Sequence, residues 1–115
     1  MTMLKSLAVL TVFIATPAYA QDEIPAFVTA KELSDICQTD RPWCAGYISG
    51  VADGATSYAA HVKVPLPYCV PLGVPSEQIT DIVIAYLSSH PAERHKDAAA
   101  QVLNALFEAF PCTKR

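Results

Sequence analysis

From residue 29 onward the apolar positions fall into four helical runs punctuated by proline. Thr29-Ala30-Lys31-Glu32 has the form of a capping box, and Leu33, Ile36 and Cys37 follow at helical spacing. This predicts a short first helix over 30–38. Asp40 is placed to cap a second helix, with Pro42 in its first turn, where a missing N–H costs little. No proline occurs from 43 to 62, so this helix has room for roughly five turns. Residues 63–75 then hold Pro65, Pro67, Pro71 and Pro75 with Cys69 and Gly73. They read as a loop, long for so small a domain, and such loops tend to carry function. Ser76 is expected to cap a third helix, in which Ile79, Ile82, Val83, Tyr86 and Leu87 share one face. His90-Pro91 ends it, and residues 91–95 read as a short helical turn. Asp97 caps the last helix, with Ala99, Val102, Leu103, Leu106 and Phe110 as its apolar stripe, and Pro111 stops it. No run of period two follows the first segment. The expected fold is all-α, a small bundle of four main helices.

The first segment differs in kind. Residues 7–15 are apolar except for Thr11, Lys5 precedes them, and Pro17 breaks the run. Ala18 and Ala20 supply the small residues of a cleavage site. This is the layout of a secretory signal peptide, residues 1–20, cut after Ala20, leaving one domain over 21–115. The run is far below the ~20 residues that span a bilayer, which argues against a membrane anchor. Residue 21 is Gln rather than Cys, which argues against a lipid anchor. The expected location is periplasmic or secreted, with no membrane insertion after cleavage.

Cys37, Cys44, Cys69 and Cys112 all lie in the expected mature part. An even number in a small exported domain reads as two disulfides. No C-x₂-C pair favours a metal site, and none is expected. Three pairings are open. Cys37–Cys44 with Cys69–Cys112 is favoured, because the first pair flanks one short turn and the second ties the chain end to the mid-chain loop.

Composition narrows the function. With 8 Lys+Arg against 11 Asp+Glu and no basic cluster, the 115-residue chain is a poor nucleic-acid binder. Its four glycines form neither a P-loop nor a dinucleotide fingerprint. Three of them, Gly46, Gly50 and Gly54, recur every four residues along the second helix. Each costs roughly 1 kcal/mol against alanine there. They point to close approach of another backbone, either a helix of the same domain or a second subunit. Asp53 lies among them and reads as a solvated or structural acid. His61, His90 and His95 form no H-E-x-x-H or other i, i+4 pair, and no nucleophile elbow is present. An enzyme built on Asp53, His90 and His95 is the weakest reading. No catalytic residue and no cofactor are expected.

The string Cys37…Trp43-Cys44-Ala45-Gly46-Tyr47-Ile48-Ser49-Gly50-Val51-Ala52-Asp53-Gly54 resembles the "C…C-x-G-Y-I-x-G-V-x-D" core of the Rap/Tai immunity proteins. Tyr68-Cys69-Val70-Pro71 with Gly73-Val74 resembles their "C-I-P-x-G-V". Tyr86-Leu87 with His90-Pro91 resembles their "Y-L-x-x-H-P", and Ala105-Leu106 with Ala109-Phe110-Pro111-Cys112 their terminal "A-L-x-x-A-F-P-C". The blocks cover about 33–112. The resemblance implies an exported, disulfide-bearing, all-α domain, often a homodimer. It implies a non-catalytic inhibitor of a peptidoglycan-cleaving amidase delivered by type VI secretion, acting by occlusion of the amidase active site. The shared motif does not include effector contacts. The proline-rich segment supplies the candidates: Lys63, Pro67 and Tyr68, taken as exposed, with tyrosine a common interface anchor. The alternative is a small periplasmic acid-stress chaperone, also short, helical and disulfide-bearing.

Overall fold

The predicted helix boundaries follow from local capping. In the computed structural model, residues 11–15 and 27–113 are described. The expected cleavage site lies outside them, as does most of the expected signal peptide. Residues 11–15 are exposed and without helix or strand.

Helix α1 (Ala30–Thr39) opens with the capping box in full. The Glu32 N–H donates to the Thr29 hydroxyl at 3.2 Å, and the Thr29 N–H donates to the Glu32 carboxylate at 2.8 Å. These bonds hold the Glu32 carboxyl below its usual value, the Thr29 backbone N–H contributing most and its hydroxyl next. Asp40 serves two helices. Its N–H donates to Ile36 O at 2.7 Å, closing α1. Its carboxylate accepts from Trp43 N–H at 3.1 Å, opening α2 (Arg41–Val62). Lys63 ends α2 in the left-handed region, at φ 58°.

Helix α3 (Ser76–Ser89) departs from expectation at its start. Pro75 occupies the cap position and Ser76 is already helical, so no side-chain cap bond forms. The extended Pro75 backbone sets the entry direction instead. One turn of 3₁₀ helix, Pro91–Glu93, follows His90. Asp97 then caps α4 (Ala98–Ala109), accepting from Ala100 N–H at 2.9 Å.

Each of the four helices contacts the other three. Leu33, Cys37, Cys44, Ile48, Val83, Leu87, Val102 and Leu106 fill the space between them, joined by Tyr68 from the loop. On α4 the buried face is Ala98, Gln101, Val102, Ala105 and Leu106. Ala99, Leu103 and Phe110 of the predicted stripe are half-buried at its edge. The starts of α1 and α4 are stitched together by backbone bonds, Ala30 N–H to Lys96 O at 2.8 Å and Ala98 N–H to Val28 O at 2.9 Å. This forms an isolated antiparallel bridge between Thr29 and Asp97. No strand occurs among the described residues.

Both favoured disulfides form. Cys37–Cys44 locks the α1–α2 turn inside the core, whereas Cys69–Cys112 ties the long loop to the chain end at the surface.

Candidate partner-binding surface

The long loop between α2 and α3 is held at several points. At its start, the N–H groups of Lys63 and Val64 both donate to Ala59 O. In the middle, the Cys69 N–H donates to Phe110 O at 2.8 Å, beside the disulfide to Cys112. These tethers draw the preceding residue inward. Tyr68 is therefore buried, at 5% exposure, and cannot be the exposed anchor expected of it. Lys63 and Pro67 are exposed as expected. Among the described residues the Tyr68 hydroxyl has no partner in hydrogen-bonding geometry; the neighbouring Thr56 hydroxyl donates to Ala52 O at 3.0 Å. Burial pushes the Tyr68 phenol up; Thr56 offsets part of this, and the charge of Asp53 adds to it. An open groove of about 590 Å³ lies alongside, lined by Ala59, Ala60, Val64, Leu66, Tyr68 and Cys112 among others.

Beyond Cys69 the loop turns outward. Pro71-Leu72-Gly73-Val74 makes a tight turn, with Val74 N–H directed at Pro71 O at 3.4 Å and Gly73 at φ 90°. That angle suits the third position of a type II turn, where glycine is the favoured residue. Leu72, at its tip, is fully exposed. It was not among the sequence candidates. The Pro-x-Gly spacing was the available clue, since it places one apolar residue at the tip of a turn.

The glycine stripe supplies a second surface. A Cβ built on Gly46, Gly50 or Gly54 would meet no atom within 4 Å. The expectation of close packing against another helix of the same domain is thus not met. The reason is the face they occupy: only one side of α2, through Cys44, Ile48 and Ala59, reaches the core, and at about 100° per residue the glycines fall on the opposite side. That side is open. Trp43 stacks on Tyr47 near one end, with ring centroids 5.4 Å apart, and Tyr58 stands exposed near the other.

The titratable candidates stay apart. Asp53, His61 and His95 are exposed. His90 is half-buried at the end of α3, its ring stacked on Tyr86 at 3.8 Å and its Nδ1 2.8 Å from Tyr86 O. That arrangement closes the helix end. No group of three or more His, Cys, Asp or Glu among the described residues could hold a metal ion. A second groove, about 430 Å³ between α3 and α4, is open and presents Tyr86, Ser89 and Glu108. The Ser89 hydroxyl lies 3.0 Å from His90 Nδ1, but both groups are also within bonding distance of Tyr86 O, at 3.0 and 2.8 Å, so they close the end of α3.

A family model for Rap1a immunity proteins matches residues 29–112, from the α1 cap to the second disulfide. The chain belongs to the Rap1a immunity proteins. No curated protein and no solved structure matches it. As a Rap1a immunity protein, the chain places its four sequence blocks at structural junctions. The first holds the α1–α2 disulfide and the second pins the loop. The third closes α3 with the Tyr86–His90 stack, and the fourth ends at Cys112. Leu72 and the outer face of α2, where Gly46, Gly50 and Gly54 of the first block lie, stay exposed.

Proposed function

We propose that this chain is an exported immunity protein that binds a peptidoglycan-cleaving amidase effector of type VI secretion and covers its active site. The family match, which spans the whole helical domain, carries this reading. Two disulfides suit an oxidising compartment such as the periplasm. Among the described residues no helix is long and apolar enough to cross a membrane. The protein acts in stoichiometric amounts, by binding. The outer face of α2 is read as the seam of a homodimer: an antiparallel pair centred on Gly50 would set each Gly46 against the partner's Gly54.

The test is titration of purified amidase effectors with the oxidised protein while peptidoglycan cleavage is followed. Cleavage should stop near one immunity subunit per effector. Unaffected cleavage at large excess would sink the proposal. Light scattering tests the seam, with Gly50→Leu expected to convert a dimer to a monomer. A monomeric parent protein would remove the dimer while leaving the inhibitor reading intact.

A further inference from the structure

We infer that Leu72 is the anchor of the effector interface, inserted into an apolar pocket of the effector's cleft. The inference rests on the immunity reading and names the contact that the reading lacks. Three observations converge on it. Leu72 is fully exposed, whereas Val70 and Val74 on either side are half-buried and Val70 packs on the core. Val70 and Val74 therefore serve the fold more than Leu72 does, and Val64, the loop's other exposed aliphatic, is only half as exposed.

The turn that presents Leu72 is also rigid. Pro71 fixes one backbone angle, Gly73 supplies the positive φ, and Pro75 leads directly into α3. On the other side Cys69 is held by the disulfide and by Phe110 O. A backbone fixed in this way loses little freedom on docking, so the cost of binding is confined to the rotamers of the side chain.

The third observation concerns charge. Arg41 at the start of α2 bonds Asp81 at 2.7 Å and Glu77 at 3.4 Å on α3. Two carboxylates share one guanidinium, which leaves a net negative charge where the chain leaves the turn. The matching pocket is apolar at its floor and basic at its rim, a chemistry that fits a cleft on a protein.

The experiment uses the protein processed and recovered from the periplasm of an expression host. Purified type VI amidase effectors of the source organism, taken one at a time, serve as probes. Leu72→Ala should weaken binding about 10- to 100-fold, the loss of most of one buried leucine. Leu72→Asp should abolish inhibition, and Phe107→Ala, an exposed control on α4, should leave it unchanged. Gly73→Ala should weaken binding with Leu72 intact, because alanine is strained at φ 90°. Thermal melts of the Leu72 variants should match the parent, since the side chain is free of the core. If the parent inhibits an effector and Leu72→Asp inhibits it equally well, the anchor assignment is overturned and the immunity reading stands. If the parent binds none of the effectors, both fall together.

Discussion

Replacing Cys69 and Cys112 together with serine separates the two ways in which a disulfide holds this domain. The cysteines are 43 residues apart. Loop-closure entropy gives about 4 kcal/mol for a loop of that length at 25 °C. Both positions are exposed, so the serine hydroxyls stay in water and add no burial penalty. The other pair is 7 residues apart, and the same relation gives about 2.5 kcal/mol. Cys44 is fully buried and Cys37 nearly so, however. Serine there places two hydroxyls in an apolar core at about 1–3 kcal/mol each, raising the total to roughly 5–8 kcal/mol. The shorter loop should therefore be the costlier one to open with serine. Native domains are stable by only about 5–15 kcal/mol, so C37S/C44S should be largely unfolded and C69S/C112S folded but weakened. Urea unfolding followed by far-ultraviolet circular dichroism measures both, and the exposed pair should lower Tm by about 15–30 °C. A loss below about 1 kcal/mol for C69S/C112S would refute the entropic argument. A C37S/C44S variant no less stable than C69S/C112S would refute the burial argument.

Leu33 is fully buried at the meeting of the helices, so Leu33→Ala should cost about 2–5 kcal/mol in the same urea assay; a loss within about 0.5 kcal/mol would mean the site is not core. Glu32 has its folded carboxyl below the usual 4.5, so the stability it adds is present above that pH and disappears as pH falls through the lower folded value. Glu32→Gln should accordingly flatten the acid side of the stability profile, and an unchanged profile would count against the cap. Tyr68 runs the other way: its phenol is pushed above 10.0, so its contribution is complete below that pH and is lost as pH rises through the folded value. Tyr68→Phe should remove this alkaline loss and leave neutral-pH stability within about 0.5 kcal/mol or slightly higher, because the hydroxyl it deletes has no partner; a neutral-pH loss above about 1 kcal/mol would show that the hydroxyl is bonded after all.

What the sequence determined by itself was local. The capping box at Thr29, the shared role of Asp40 and the cap at Asp97 are interactions over three or four residues, and all appear where the residue types place them. Proline marked the helix ends for the same reason, since its ring restricts its own backbone and that of the residue before it. The four-helix fold and the disulfide pairing followed from helix lengths and from the position of each cysteine in the chain. Tertiary structure decided which face of each element meets a neighbour. Gly46, Gly50 and Gly54 carry the pattern of a close contact, yet whether a helix lies against them depends on which face of α2 the other three helices cover. Tyr68 and Leu72 are four residues apart in one loop, and neither one's neighbours reveal its fate. The bond from Cys69 to Phe110 and the disulfide to Cys112, both made to residues more than forty positions away, pull Tyr68 into the core. The turn beyond them leaves Leu72 in water. Burial in a small domain is set by such long-range tethers, and a local pattern carries no record of where the other end is fixed.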